Sequence, residues 1–135
     1  MTDDTTVTMK VKSEQILSCG YTPAKALLVI RCMENRTSFF ISTECHLASG
    51  HGGYGSVTYR LDDHDAITKE FDASSNNAAL GLWFGSEAIP VVKNMFDNDS
   101  AIFRFMPYNK STVTARFNIT GLRKQITPLR EACGW

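Results

Sequence analysis

The residues of this chain that could carry chemistry are its cysteines, its histidines, and one arginine set just ahead of a run of aspartates. The cysteines are Cys19, Cys32, Cys45 and Cys133. Thiols in a small domain pair as disulfides, hold a metal or act as nucleophiles. No CxxC occurs, and the spacings of 13, 13 and 88 residues match no zinc knuckle. The even count therefore predicts two disulfides and an oxidising compartment. His46 and His51, with Cys45 beside them, fall at a glycine-rich loop, but no carboxylate lies at ligand spacing there, which predicts solvent-facing histidines and no metal. Asp62, Asp63 and Asp65 surround His64. Without a DxDG pattern they predict a turn, where Asp is favoured, and not a calcium loop. No GxSxG, HExxH, P-loop or GxGxxG is present, and the abundant Ser and Thr make any pairing with a histidine uninformative. Neither an enzyme nor a cofactor is expected. Trp83, Phe84 and Trp135 could be binding aromatics; buried anchors are their commoner role. Asn-x-Ser/Thr sequons at Asn35, Asn98, Asn109 and Asn118 matter only in a eukaryotic source.

The elements that must position these residues read mostly as strands. Val7, Met9 and Val11 alternate with Thr8, Lys10 and Lys12, the period of a half-buried strand. Ala26 to Cys32 is a continuous apolar run, expected of a central strand. A polar turn at Asn35-Arg36 returns the chain along Ser38 to Thr43, making a hairpin. Leu47 to Gly55 holds Gly50, Gly52, Gly53 and Gly55, which predicts a mobile loop. Val57 to Leu61 and Ile67 to Phe71 flank the aspartate turn. Ala101 to Met106 and Thr112 to Asn118 are joined through Pro107-Tyr108-Asn109-Lys110. Two segments have helical spacing instead. Ile89, Val92, Met95 and Phe96 lie in Ser86 to Phe96, with Ser86 as N-cap. Leu122, Ile126, Leu129 and Cys133 form a second stripe, which Thr127-Pro128 restarts or kinks. Both stripes are expected to face the core.

Periodicity also constrains the disulfides. With the hairpin turning on Asn35-Arg36, Cys32 lies opposite Phe39 and Cys45 opposite Ala26. Six residues of strand, roughly 20 Å, then separate the two thiols, which no disulfide spans. A second turn at Gly20 to Lys25 places Cys19 near Ala26, again far from Cys32. The preferred pairing is Cys19–Cys45 with Cys32–Cys133, the latter stapling the last helix to the hairpin.

With 135 residues, the chain is the size of one domain, residues 1–135. Lys plus Arg and Asp plus Glu number 14 each, so the formal net charge is zero. That argues against nucleic acid or a polybasic membrane module, both of which need a basic excess. The longest apolar run is strand-sized, so no membrane insertion is expected. The opening Met1-Thr2-Asp3-Asp4 carries acids where a signal peptide has basic and then apolar residues. With the cysteines, this predicts that a leader has been removed ahead of Met1. The fold expected is all-β, an antiparallel sandwich of about seven strands with two short helices.

Several runs resemble a known family. Leu27-Leu28-Val29-Ile30-Arg31-Cys32, Asn35-Arg36-Thr37 and Val57-Thr58-Tyr59-Arg60-Leu61-Asp62-Asp63 are similar to the VasI/TagO-type proteins associated with type VI secretion. So are Phe105-Met106-Pro107-Tyr108, the stretch Phe117 to Leu122, the closing Ala132-Cys133-Gly134-Trp135 and the opening Asp3-Asp4. The resemblance implies a non-catalytic periplasmic or envelope accessory protein that binds an envelope or secretion-system protein. A small-ligand or glycan-binding sandwich using Arg60, Trp83 and the glycine-rich loop, encoded on a mobile element, is the alternative. Long loops on rigid sheets commonly carry recognition, so the binding surface is expected at His51, Gly52, Gly53, Arg60, Asp62 and Asp63. Arg60 alternates out of phase with Tyr59 and Leu61 and should point outward.

Overall fold

The structure, a computed structural model, describes residues 6–17, 24–43, 54–74, 79–105 and 112–135. Along the chain run β1 (Val7–Leu17), β2 (Ala24–Met33), β3 (Arg36–Ser42), β4 (Tyr54–Leu61), β5 (Ile67–Ala73) and β6 (Ala79–Leu82). Then come α1 (Gly85–Asn94), β7 (Ser100–Phe105), β8 (Val113–Asn118), α2 (Leu122–Gln125) and α3 (Thr127–Cys133). These strands form one antiparallel sheet of order β1-β2-β3-β6-β5-β4-β7-β8. The all-β class with short helices, expected from alternation, is therefore what the chain adopts.

One strand explains how a sandwich becomes a single sheet. Without β6, the strands legible from alternation fall into two sets, β1-β2-β3 and β5-β4-β7-β8. β6 joins them, pairing Phe39–Ser42 on one side and Asp72–Ala73 on the other. All four of its residues are buried, so it shows no alternation to read. Gly81 is required there, because a Cβ would sit 2.6 Å from the Cβ of Phe40 and 2.9 Å from the Phe39 carbonyl. The walls of the expected sandwich are thus opposite sides of one wrapped sheet. Its edges meet where the Arg116 N–H of β8 donates to Gln15 Oε1 of β1 at 2.8 Å. A register shift between Lys12 and Ile16 makes that meeting possible by displacing Glu14 and Gln15 from the ladder. Ser13 holds the irregularity: its hydroxyl accepts from Ala26 N–H at 2.9 Å and donates to Gln15 O at 2.7 Å.

The period of two sends alternate residues inward. Phe103 sits at the middle of the core, its ring 5.7 Å from Phe39, 5.4 Å from Tyr59 and 5.9 Å from Phe117. These neighbours come from three other strands, so one ring ties both walls together. At one end of the sheet α1 packs on β3 and β6 while α3 packs on β1 and β2. Helix α1 buries Ala88, Val91 and Val92. The C-terminal stripe breaks at Ile126 and restarts with Pro128 in the first turn of α3, as the Thr127-Pro128 dipeptide implies.

Two local expectations are corrected. The hairpin turns on Glu34-Asn35, both at positive φ (52° and 59°), and Met33 pairs with Arg36. Cys32 therefore faces Thr37 and not Phe39. A two-residue turn with both residues left-handed matches the twist of the strands, and it sits one residue earlier than the Asn35-Arg36 turn the sequence suggested. Helix α1 starts earlier than Ser86, with Phe84 as its N-cap and no side-chain cap bond.

Cys32 and Cys133 form a disulfide, with Cα atoms 5.9 Å apart across 101 residues of sequence. This half of the expected pairing fastens α3 to β2. Cys19 and Cys45 lie outside the described residues.

Candidate functional site

Asp62 follows the last residue of β4 in a left-handed conformation, φ 48°, which a short carboxylate side chain tolerates better than most. There its carboxylate faces the backbone that leads from α1 into β7. It accepts from Asp99 N–H at 3.1 Å on both oxygens, from Ser100 N–H at 2.9 Å and from the Ser100 hydroxyl at 3.2 Å. Its own N–H donates to Ser100 O at 3.0 Å. Donation from Asp99 and then Ser100 backbone holds its carboxyl below the usual range. Asp62 is therefore a bracket between two turns. It was expected at a binding surface; its Oδ1 is committed to the fold, whereas its Oδ2 accepts only from Asp99 N–H.

The sign of its pH dependence follows. A carboxyl whose folded pKa is depressed contributes stability above its unfolded pKa and loses it as pH falls through the folded value. Asp62→Asn should lower the melting temperature at pH 7. The gap to the parent should shrink progressively below about pH 4, where the parent's carboxyl also gains a proton. Thermal melts of both proteins across that range check this.

Arg60 points outward as its phase requires and is exposed, whereas Tyr59 and Leu61 are buried. It pairs with neither aspartate. Asp62 is committed to Asp99 and Ser100, and Asp63 is exposed in the turn. Its neighbours are set by register: Arg60 lies opposite Ile102 of β7, which lies opposite Arg116 of β8. Arg104, two residues along β7, lies opposite Thr58 and Thr114. Thr58, Arg60, Ile102 and Arg104 line a shallow cavity of about 190 Å³. Among the described residues Arg60 and Arg104 have no carboxylate partner, and Arg116 has one distant contact, 3.7 Å to Glu14. Sequence reasoning found Arg60 alone, because only the strand register brings Arg104 and Arg116 beside it.

His51, Gly52 and Gly53 lie outside the described residues. The described end of β4 nearest to them, Tyr54, is at the opposite end of that strand from Asp62 and Asp63. Eight residues of strand separate the two ends by roughly 25 Å.

A second surface lies on the far wall. The Arg31 guanidinium sits 5.2 Å over the ring of Phe40, which stacks at 4.9 Å on Trp83. Trp83 is anchored there, its indole N–H donating to Asp72 O at 3.0 Å. Phe84, beside it, is 54% exposed and has only the Arg36 guanidinium over its ring, at 5.2 Å. Met33, paired with Arg36, is 39% exposed. Trp135 is an anchor like Trp83: its indole N–H donates to the Thr37 hydroxyl at 2.7 Å, and Arg130 lies 5.2 Å over its ring. Of the aromatics singled out from sequence, Phe84 is the one left facing solvent. Arg60 and Trp83 do not converge: Trp83 follows β6 and reaches Asp72 of β5, which pairs with Tyr54 at the far end of β4 from Arg60.

The molecule is thus a disulfide-stapled all-β domain with an arginine-rich wall and an aromatic–arginine wall. Over residues 3–135 it matches the family described as Type VI secretion system VasI, EvfG, VC_A0118, and it belongs to that family. That makes it a type VI secretion-associated protein, as the resemblance of its strand and turn runs implied. No curated protein and no solved structure matches the chain. Among the described residues no helix is long and apolar enough to cross a membrane.

Proposed function

We propose that this chain is a non-catalytic accessory component of a type VI secretion apparatus, acting in the periplasm or cell envelope by binding another protein of that apparatus. The observation that carries the reading is the wall where Phe84 and Met33 stand exposed against Arg36, continuous with Arg31, Phe40 and Trp83. Aromatic and Arg side chains dominate the energetics of protein interfaces, and a lone exposed Phe stacked under Arg is a ready anchor for a partner's pocket. The Cys32–Cys133 disulfide supports the oxidising location, because such bonds persist outside the reducing cytosol. Arg60, with the stretch bearing His51, Gly52 and Gly53, is proposed as a further contact.

Among the described residues, a small-ligand reading has two cavities to draw on: one of about 260 Å³ lined by Leu61, His64, Asp65, Ile67, Asn94 and Asn98, and one of about 440 Å³ lined by Thr127, Arg130, Glu131, Gly134 and Trp135. The first is below the roughly 300–1,000 Å³ typical of ligand sites, and the second is a wide depression on the surface of α3 that encloses little. Protein binding is the better supported.

Tagged chain, captured from the native envelope and read by mass spectrometry, should bring down a type VI secretion protein. Phe84→Asp should abolish that capture with a normal melting curve, because the Phe84 side chain makes no cap bond to α1. Gly52→Ala, Gly53→Ala and Arg60→Ala combined should weaken it. Absence of any secretion-system protein from the parent's capture would defeat the reading.

A further inference from the structure

We infer that the outer wall formed by β4, β7 and β8 is a docking face for an acidic, extended segment of a partner protein. This rests on the protein-binding reading above and names the chemistry of one contact. Arg60, Ile102 and Arg116 lie in one row across the three strands, and Arg104 stands in the next row. At about 4.8 Å between strands and about 6.8 Å between alternate residues, the three guanidinium-bearing positions form a triangle with sides of roughly 8–10 Å. Half-buried Ile102 lies midway along the Arg60–Arg116 side, in the groove that Thr58, Arg60 and Arg104 line.

Three cations on one wall of a chain with no net charge call for a compensating anion. The protein supplies little. Arg60 and Arg104 have no carboxylate partner among the described residues, and the Glu14–Arg116 contact is long and half exposed on both sides. Exposed pairs of that kind contribute little and exchange readily for a better carboxylate. The next carboxylate on this wall by register, Glu70, lies opposite Ser56, beyond Thr58 from Arg60. Arg presents a planar fork matched to carboxylates, so each position can take one acidic side chain bidentately.

The occupant's shape follows from the spacing. An extended segment with acids at alternate positions repeats them about every 6.8 Å, which long Arg side chains set roughly 8–10 Å apart can reach, and its intervening residues turn away from the wall. The surface is a sheet face and not an edge, so recognition runs through side chains and leaves the backbone ladder undisturbed. Polyanions are disfavoured as occupants. Nucleic acid and anionic bilayers draw on a broad basic excess, and here Glu14 and Glu70 border the arginines.

The test is fluorescence anisotropy of the full chain with a labelled short peptide of alternating Glu and Ser, beside its Gln-Ser counterpart. Flotation with phosphatidylglycerol vesicles runs in parallel. The parent should bind the acidic peptide, ignore the neutral one, and bind more weakly as salt is raised. Arg60→Glu with Arg104→Glu should weaken binding at least tenfold, Arg60→Lys with Arg104→Lys should retain part of it, and Lys124→Glu should leave it unchanged. All variants should melt normally, since these side chains are exposed. Equal binding by the Arg60→Glu/Arg104→Glu protein overturns the inference, as does no peptide binding by the parent, or vesicle binding without peptide binding. Capture of a secretion protein that Phe84→Asp abolishes and the double Glu variant does not would overturn this contact and leave the proposed function standing.

Discussion

Breaking the Cys32–Cys133 bond should lower the melting temperature of this domain by about 10–20 °C, read from melts of the parent and of Cys32→Ala/Cys133→Ala. The bond closes 101 residues of sequence, and loop-closure entropy for such a length is about 4–5 kcal/mol, against roughly 2–5 kcal/mol usually lost when a native disulfide is removed. For a domain of this size 1 kcal/mol moves the melting temperature by about 3–6 °C. Measured losses commonly fall short of the entropic limit, which sets the expected range below it. The local consequence is as specific as the global one. Helix α3 is one short stretch of seven residues, too brief to persist alone. It is held by buried Leu129, by the disulfide, and by the Trp135–Thr37 hydrogen bond. Hydrogen exchange in α3 should therefore accelerate more than in β7 when the bond is removed. An unchanged melting temperature would show that packing alone fixes this end of the sheet.

Phe103→Ala should cost about 3–5 kcal/mol in urea unfolding, the usual range for a fully buried aromatic. Its ring is in contact with rings from β3, β4 and β8. Those neighbours belong to opposite walls of a wrapped sheet, and the ladder hydrogen bonds resist the inward movement that would fill the void. The loss should therefore fall in the upper half of the range. Phe103→Leu, which keeps most of the volume, should cost about 1–2 kcal/mol. Domains of this size have about 5–15 kcal/mol in total, so the Ala variant should be marginal at physiological temperature.

What could be read in the sequence was what depends on local period. Alternation located β1 and β4, a continuous apolar run located β2, the return from the aspartate turn located β5, the apolar stripe located the C-terminal helices, and Thr127-Pro128 marked their break. Cys32 and Cys133 could be matched because strand length excludes the rival pairing with Cys45 on distance alone. What escaped depends on partners distant in sequence. β6 is buried on both faces and only four residues long, so it has neither alternation nor length to announce it. Glu34 carries no turn signature, and the hairpin register slipped by two residues accordingly. Two residues preserve the inward and outward faces, which is why Cys32 still pointed at α3. Asp62 was legible as a turn residue, but its partners, backbone donors 37 and 38 residues away, were not. Arg104 and Arg116 were invisible as companions of Arg60 for the same reason: cross-strand register is a property of the assembled sheet.

If this domain serves type VI secretion by gripping another protein of the envelope, its two exposed walls must lie against that protein in the cell. A benzophenone side chain placed at Phe84, and separately at Ile102, tests it in the native cell under ultraviolet light, with exposed Glu131 on α3 as the control position. A discrete cross-linked species, identified as a secretion-system protein, is expected from Phe84 and from Ile102, and none from Glu131. Cross-links that are absent at both positions, or equally abundant at Glu131, would contradict it.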